Sequence, residues 1–145
     1  MSIHFDGSAA APNPGNACFA FVHTENGIEK HFECGFIGKE TNNMAEYYAL
    51  FRALVYCKIS DISGIEIFGD SKLVINQVNG VWKIKSESLK SLHEKCKRLC
   101  QEMKITLKWI SRDDNQRADF LSKLPIEAIQ STQKNPCISN GFLEI

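Results

Sequence analysis

No run of apolar residues in the chain is long enough to cross a bilayer as a helix, so no membrane span is predicted. The opening stretch MSIHFDGSAA lacks a basic segment followed by an apolar one, and it does not read as a secretory signal. The Cys-x-x-Cys spacing is absent, although cysteines stand at 18, 34, 57, 96, 100 and 137. They fall at apolar strand and helix positions, and Cys96 and Cys100 continue one helical stripe. They read as reduced core thiols of a cytoplasmic protein rather than as zinc ligands or disulfides. Net charge is also missing, since 17 basic residues meet 17 acidic ones. That speaks against a partner held by bulk charge alone. The distribution says more: residues 81–108 hold 8 basic and 3 acidic side chains, whereas residues 1–57 hold 3 and 6. One basic and one acidic face are expected.

What is present suits one globular domain: 145 residues, 43% of them hydrophobic and 23% charged. SIHFD reads as a short strand ending at Asp6, GSAAPNPGN as a turn-rich loop, and ACFAFVHT as a central strand. ENG is a hairpin turn, and IEKHFECGF alternates as a half-exposed strand. A helix is predicted over about 43–58, then a buried strand GIEIFG ending at Asp70 and a short helix in DSKLVINQV. Residues 86–102 carry Leu89, Leu92, Cys96, Leu99 and Met103 in helical register. ITLKWI is a strand, and DDNQRADFLSKL a last helix expected to stop at Pro125. The order β-β-β-α-β-α-α-β-α predicts an α/β fold, a mixed sheet with helices packed on it. Residues 1–124 read as the domain and 125–145 as a C-terminal tail open to disorder.

Four acids stand where acids are costly. Asp6 and Asp70 lie at the carboxyl ends of two strands, the edge where ligands of open sheets with helical crossovers bind. Glu46 heads the stripe Ala49, Leu50, Ala53, Cys57, which is the face its helix turns to the core. Asp119 lies one turn inside the last helix, beside Ala118 and Leu121. Each has a structural explanation of its own. Asn43 could cap its helix with Glu46 reaching back, Asp70 could cap the next helix, Asp6 could open a turn, and Asp119 could pair with Lys123. Together they repel, and no basic residue nearby in sequence neutralises all four. A hard divalent cation with oxygen ligands would.

In order and spacing, DGSAAPNPG, TNNMAEYYAL, GDSKLVINQVNGVWKIK and RDDNQRADFLSK resemble the four motif blocks of the type 1 ribonuclease H family, in its archaeal and plant-like branch. The resemblance runs from about residue 2 to 124. It implies a ribonuclease H-like fold, in which a five-stranded mixed sheet combines an antiparallel hairpin with parallel strands, flanked by helices. It implies two Mg²⁺ or Mn²⁺ ions held by Asp6, Glu46, Asp70 and Asp119, and hydrolysis of the RNA strand of an RNA–DNA hybrid by a monomer. In-line attack would leave a 5′-phosphate and a 3′-hydroxyl.

Substrate contacts follow from the same blocks. Thr41, Asn42 and Asn43 resemble the segment that meets the hybrid near its narrow groove. Gly7, Ser8 and Asn13 lie in or beside the first loop, where small groups can approach a 2′-hydroxyl. Ser71 follows the third acid. Trp82 and Lys83 stand where the family often contacts the DNA strand, although Trp82 reads equally well as a connector aromatic. Lys90, Lys95, Lys97 and Arg98 of the basic helix could hold phosphates, some of them being simply solvated. Two departures stand out: Arg112 occupies the place where many bacterial members have a loop histidine, and NGVWKIKSES leaves no room for a long basic protrusion. Alternative readings are a broader nuclease that also cuts double-stranded RNA, and a catalytically silent hybrid-binding module.

Overall fold

The computed structural model describes residues 1–132, 138 and 139. Three antiparallel strands come first, β1 (Ser2–Ala9), β2 (Gly15–Glu25) and β3 (Ile28–Glu40). Asn26 and Gly27, both at positive φ (51° and 77°), make the tight turn between β2 and β3, as the Asn-Gly pair predicts. Helix α1 (Asn42–Ile59), strand β4 (Glu66–Gly69), helices α2 (Lys72–Val78) and α3 (Glu87–Met103) and strand β5 (Thr106–Trp109) follow. A 3₁₀ turn at Arg112–Asp114 leads into α4 (Gln116–Thr132), and a two-residue strand β6 (Ile138–Ser139) pairs with β3. The sheet order is β5-β4-β1-β2-β3-β6, with β4 parallel to both β1 and β5. The five expected strands are therefore present, and β6 adds a short edge.

The sheet is buried on both faces. Ile3, Phe5, Phe19, Phe21 and Ile67 meet Tyr47, Leu50 and Leu54 of α1, with α3 behind them. On the other face Ala20, Val22 and Cys34 meet Leu121 of α4. Phe32 and Cys34 of β3 fall on this second face as their alternation implies, whereas Ile28 ends up 60% exposed at the hairpin. Five cysteines are buried and free; Cys137 lies outside the described residues. Beneath α1, Glu33 (0% exposed) and Arg52 form a buried ion pair between β3 and the helix, which nothing in the sequence pattern announces.

Several boundaries differ from expectation. β1 does not end at Asp6 but stays paired with β2 as far as Ala9, so Asp6 stands inside the strand, one residue past its ladder with β4. The cap of α1 is Thr41, whose Oγ1 accepts from Met44 N at 3.1 Å; Asn43 is already inside the helix. The last helix does not stop at Pro125 but continues to Thr132, so residues 125–132 extend it rather than open a tail. Pro125 is buried, and polar groups on either side of it in the chain have partners outside the helix. The Ser122 carbonyl accepts from Ser8 Oγ at 3.0 Å, and the Ile126 N–H hydrogen-bonds the Cys18 thiol. The expectation of disorder falls on residues 133–137 and 140–145, outside those described.

The fold depends on one close approach. A Cβ at Gly7 would lie 2.2 Å from the Ala45 carbonyl carbon and 2.4 Å from Glu46 N. Gly7→Ala is expected to cost about 3 kcal/mol in urea melts, because the clash is with backbone that cannot rotate away. A loss below about 1 kcal/mol would show that α1 can withdraw.

Candidate active site

The parallel ladder between β1 and β4 ends at the pair Phe5–Gly69. The next residue on each strand is an acid, Asp6 and Asp70, so strand register alone sets them side by side. Gly69 is needed here too, since its Cβ would sit 2.4 Å from the Phe5 ring. Glu46 arrives from above on α1, brought in by the Gly7 contact, and Gly7 N donates to Glu46 Oε1 at 3.2 Å. One carboxylate oxygen from each of Asp6, Glu46 and Asp70 lies within 4.8 Å of the other two. Glu46 takes no part in capping: Thr41 does that work, and the glutamate points at the sheet.

Burial first, then the neighbouring Asp6 and Asp70 charges, holds the Glu46 carboxyl well above its usual range. Asp6, 1% exposed, is pushed up to about 6, chiefly by burial. The Asp70 and Asp119 charges push it further up. Glu46 Oε2 is buried without a hydrogen-bond partner. Three crowded carboxylates, an orphaned oxygen among them, form an all-oxygen donor set that fits Mg²⁺ or Mn²⁺.

Asp119 sits in the first turn of α4, beside Asp6 but not among the three mutually close acids. Its Oδ2 is paired with Lys123 Nζ at 3.1 Å, and its buried Oδ1 has no hydrogen-bond partner. The ion-pair explanation thus holds, and Asp119 stands beside Asp6 at the margin of the three clustered acids. Asn42 Oδ1 accepts from Ala9 N at 2.9 Å and Asn13 Oδ1 from Asn42 N at 3.1 Å, which ties the first loop to the start of α1. Ser71 caps α2 through Val74 N. Asn43, Trp82 and Lys83 line a groove of about 590 Å³ beside α2 and α3, and Trp82 is 47% exposed. Arg112 is exposed in the 3₁₀ turn. Lys90 pairs with Glu87 at 2.7 Å, and Lys95, Lys97 and Arg98 are exposed along α3.

Three supporting residues were not foreseen. Ser122, fully buried, donates to Asp6 Oδ2 at 3.1 Å. Asn115, 1% exposed, donates through Nδ2 to the Phe5 carbonyl at 2.9 Å and to Asp70 Oδ2 at 3.0 Å. Trp109 Nε1 donates to the Asp70 carbonyl at 3.1 Å. For Asn115 and Ser122 a signal exists: they flank Asp119 at −4 and +3, the inward spacing of one helical face.

A family profile described as "Reverse transcriptase-like" matches residues 5–124. Ribonuclease HI of Halobacterium salinarum is 35% identical over 126 residues, covering 84% of this chain and 62% of the relative. The crystal structure of RNase H1 from the same archaeon superposes with a TM-score of 0.81 at 30% identity, over 87% of this chain and 96% of that one. LC11-RNase H1 in complex with an RNA/DNA hybrid gives a TM-score of 0.79 at 34% identity, over 92% and 99%. The chain belongs to the type 1 ribonuclease H family. It spans only 26% of a bifunctional protein of Mycobacterium tuberculosis that it matches at 33% identity over 93 residues. Within the family fold, the three clustered acids and Asp119 occupy the sheet end described above.

The raised acids make a pH prediction for the metal-free ribonuclease H domain. An acid whose folded pKa exceeds its unfolded one stabilises the fold below the unfolded pKa, and that stability is lost as pH rises to the folded pKa. For Asp6 the window runs from about 4 to about 6, worth about 3 kcal/mol when complete. Melts in chelator should therefore show wild type losing stability through this window relative to Asp6→Asn. Parallel pH profiles for the two proteins would refute the crowding argument. Glu46→Gln keeps the acceptor for Gly7 N and removes one charge. It should raise the melting temperature in chelator and shrink the rise that Mg²⁺ brings.

Proposed function

We propose that this chain is a metal-dependent endoribonuclease that hydrolyses the RNA strand of RNA–DNA hybrids. The observation that carries the reading is the convergence of Asp6, Glu46 and Asp70 within 4.8 Å at the end of the sheet. Membership of a family with a member solved on an RNA/DNA hybrid supports the substrate. Asp6, Glu46 and Asp70, joined by Asp119, would hold two Mg²⁺ or Mn²⁺ ions. Bound there, the ions would polarise the scissile phosphodiester and offset charge on the attacking and leaving oxygens, giving 5′-phosphate and 3′-hydroxyl ends.

The chain's own residues supply position. Asp70 is held from two sides, by Asn115 at its carboxylate and by Trp109 at its carbonyl. Asp6 is held by Ser122. Such fixed partners keep each oxygen aimed inward, so little reorganisation remains when substrate arrives. Beside Gly7, whose open side is taken up by α1, the small side chain of Ser8 would let the ribose approach the edge of the acids, where its 2′-hydroxyl separates RNA from DNA. Asn13 and Asn42 brace that loop, while Asn43, Trp82 and Lys83 offer a polar, aromatic and cationic groove to the second strand. Arg112, exposed at the rim, suits a phosphate contact or product release.

The test is a digest of four labelled substrates, with and without Mg²⁺: hybrid, RNA duplex, DNA duplex and single-stranded RNA. Mg²⁺-dependent cutting of the hybrid is expected. Equal cutting of the RNA duplex would establish the broader nuclease, and no cutting at all the silent module. Asp70→Asn should abolish cleavage while keeping hybrid binding; cleavage within about tenfold of wild type would remove Asp70 from the site. Arg112→Ala should lower turnover and leave the Mg²⁺ dependence as it is. Unchanged kinetics across salt concentrations would mark Arg112 as a solvated side chain.

A further inference from the structure

The connector between α2 and α3, residues 79–86, has neither helix nor strand, yet it carries Trp82 and Lys83 on the wall of the groove. Its shape is held by specific bonds. The Asn76 carbonyl accepts from Val81 N at 2.8 Å and from Trp82 N at 3.1 Å. One residue beyond Trp82, the chain is caught by a side chain: Gln77 Nε2 donates to the Lys83 carbonyl at 3.3 Å. Gln77 is 6% exposed, and its Oε1 accepts from the Tyr47 hydroxyl at 2.6 Å. Only this orientation of the amide satisfies both partners, since the reverse would set its carbonyl against that of Lys83. Tyr47 is fully buried on α1, next to Glu46, and its hydroxyl lies 3.4 Å from His93 Nδ1 of α3.

We propose that Gln77 is a positioning residue for nucleic-acid binding. Through the relay Tyr47–Gln77–Lys83 carbonyl, it holds Trp82 and Lys83 as a preformed platform, and it sets that platform's distance from the acids. The inference rests on the hybrid-cleaving reading above. Three points carry it. The Tyr47–Gln77 bond is buried, so losing it leaves a polar group unsatisfied rather than handed to water. It joins the groove wall to the helix that delivers Glu46, so one rigid element registers both. And a loose connector would have to be ordered on binding, which weakens association by about three- to tenfold per immobilised side chain.

The experiment measures binding of a fluorescein-labelled RNA–DNA hybrid in Mg²⁺, with every protein in the Asp70→Asn background so that the substrate survives. Gln77→Met keeps the side chain's shape and removes both bonds. It should weaken binding about three- to tenfold, and adding it to Trp82→Ala should cost less than its full effect, since only Lys83 then remains to be placed. Tyr47→Phe, which strips one partner from Gln77, should move binding in the same direction. The rise in melting temperature with Mg²⁺ should persist in Gln77→Met otherwise wild type, because the acids are untouched; a purely structural defect would erode it. Unchanged binding in Gln77→Met, or losses that add fully in the double variant, would overturn the proposal while leaving the hybrid reading intact. An Asp70→Asn protein that does not bind the hybrid at all would end both.

Discussion

Gly7 lets the backbone of α1 lie against β1, and the acidic end of the molecule follows from that approach. Any side chain there would push the helix outward, and Glu46 would leave the edge where Asp6 and Asp70 are already fixed by strand register. The result is three carboxylates closer together than their charges favour, in a place partly closed to water. A fold tolerates this only if something else compensates. Here Ser122 and Asn115 donate hydrogen bonds to Asp6 and Asp70, which offsets part of the cost of burying them. The rest is left in place as an unsatisfied demand for positive charge, which is what a cation site consists of before the cation binds.

Around this strained centre the supporting groups are neutral. Ser122, Asn115 and Trp109 each donate one or two hydrogen bonds to the acids or to the strands that bear them. Neutral donors orient a carboxylate without cancelling the charge that a metal needs. Lys123 is the exception: it pairs with Asp119 at the rim, where its 54% exposed side chain stays hydrated. The contrast with the other end of α1 is instructive. There Glu33 and Arg52 neutralise each other completely within the core, and the pair serves to locate the helix on the sheet rather than to attract a ligand.

Much of this was legible in the sequence, because the signals are local and periodic. Strand alternation, the Asn-Gly turn and the helical stripes depend on neighbours within a few residues, and they placed the five main strands and the four helices in the right order. The acids were legible for a related reason: each breaks an otherwise apolar pattern, as Glu46 does at the head of the stripe ending in Cys57. Caps and stops were less secure. Thr41 and Asn43 are both good capping residues, and only the path of the chain into α1 chose between them. Pro125 is a fair stop signal, yet the helix runs on past it, with Ser8 and Cys18 bonded to groups on either side.

The sequence by itself determined the fold class, the choice of four acids as candidates and the basic character of the segment after Gly80, since each is a matter of residue type and spacing. The tertiary structure alone decided how close the acids come, with three of them within 4.8 Å. It alone turned Asn115, Ser122 and Trp109 into partners of those acids, and joined Tyr47 to Gln77 across 30 residues. The physical reason is the same in each case. Charge repulsion and hydrogen bonding act over a few ångströms, and separations that small between distant residues exist only after the chain has packed.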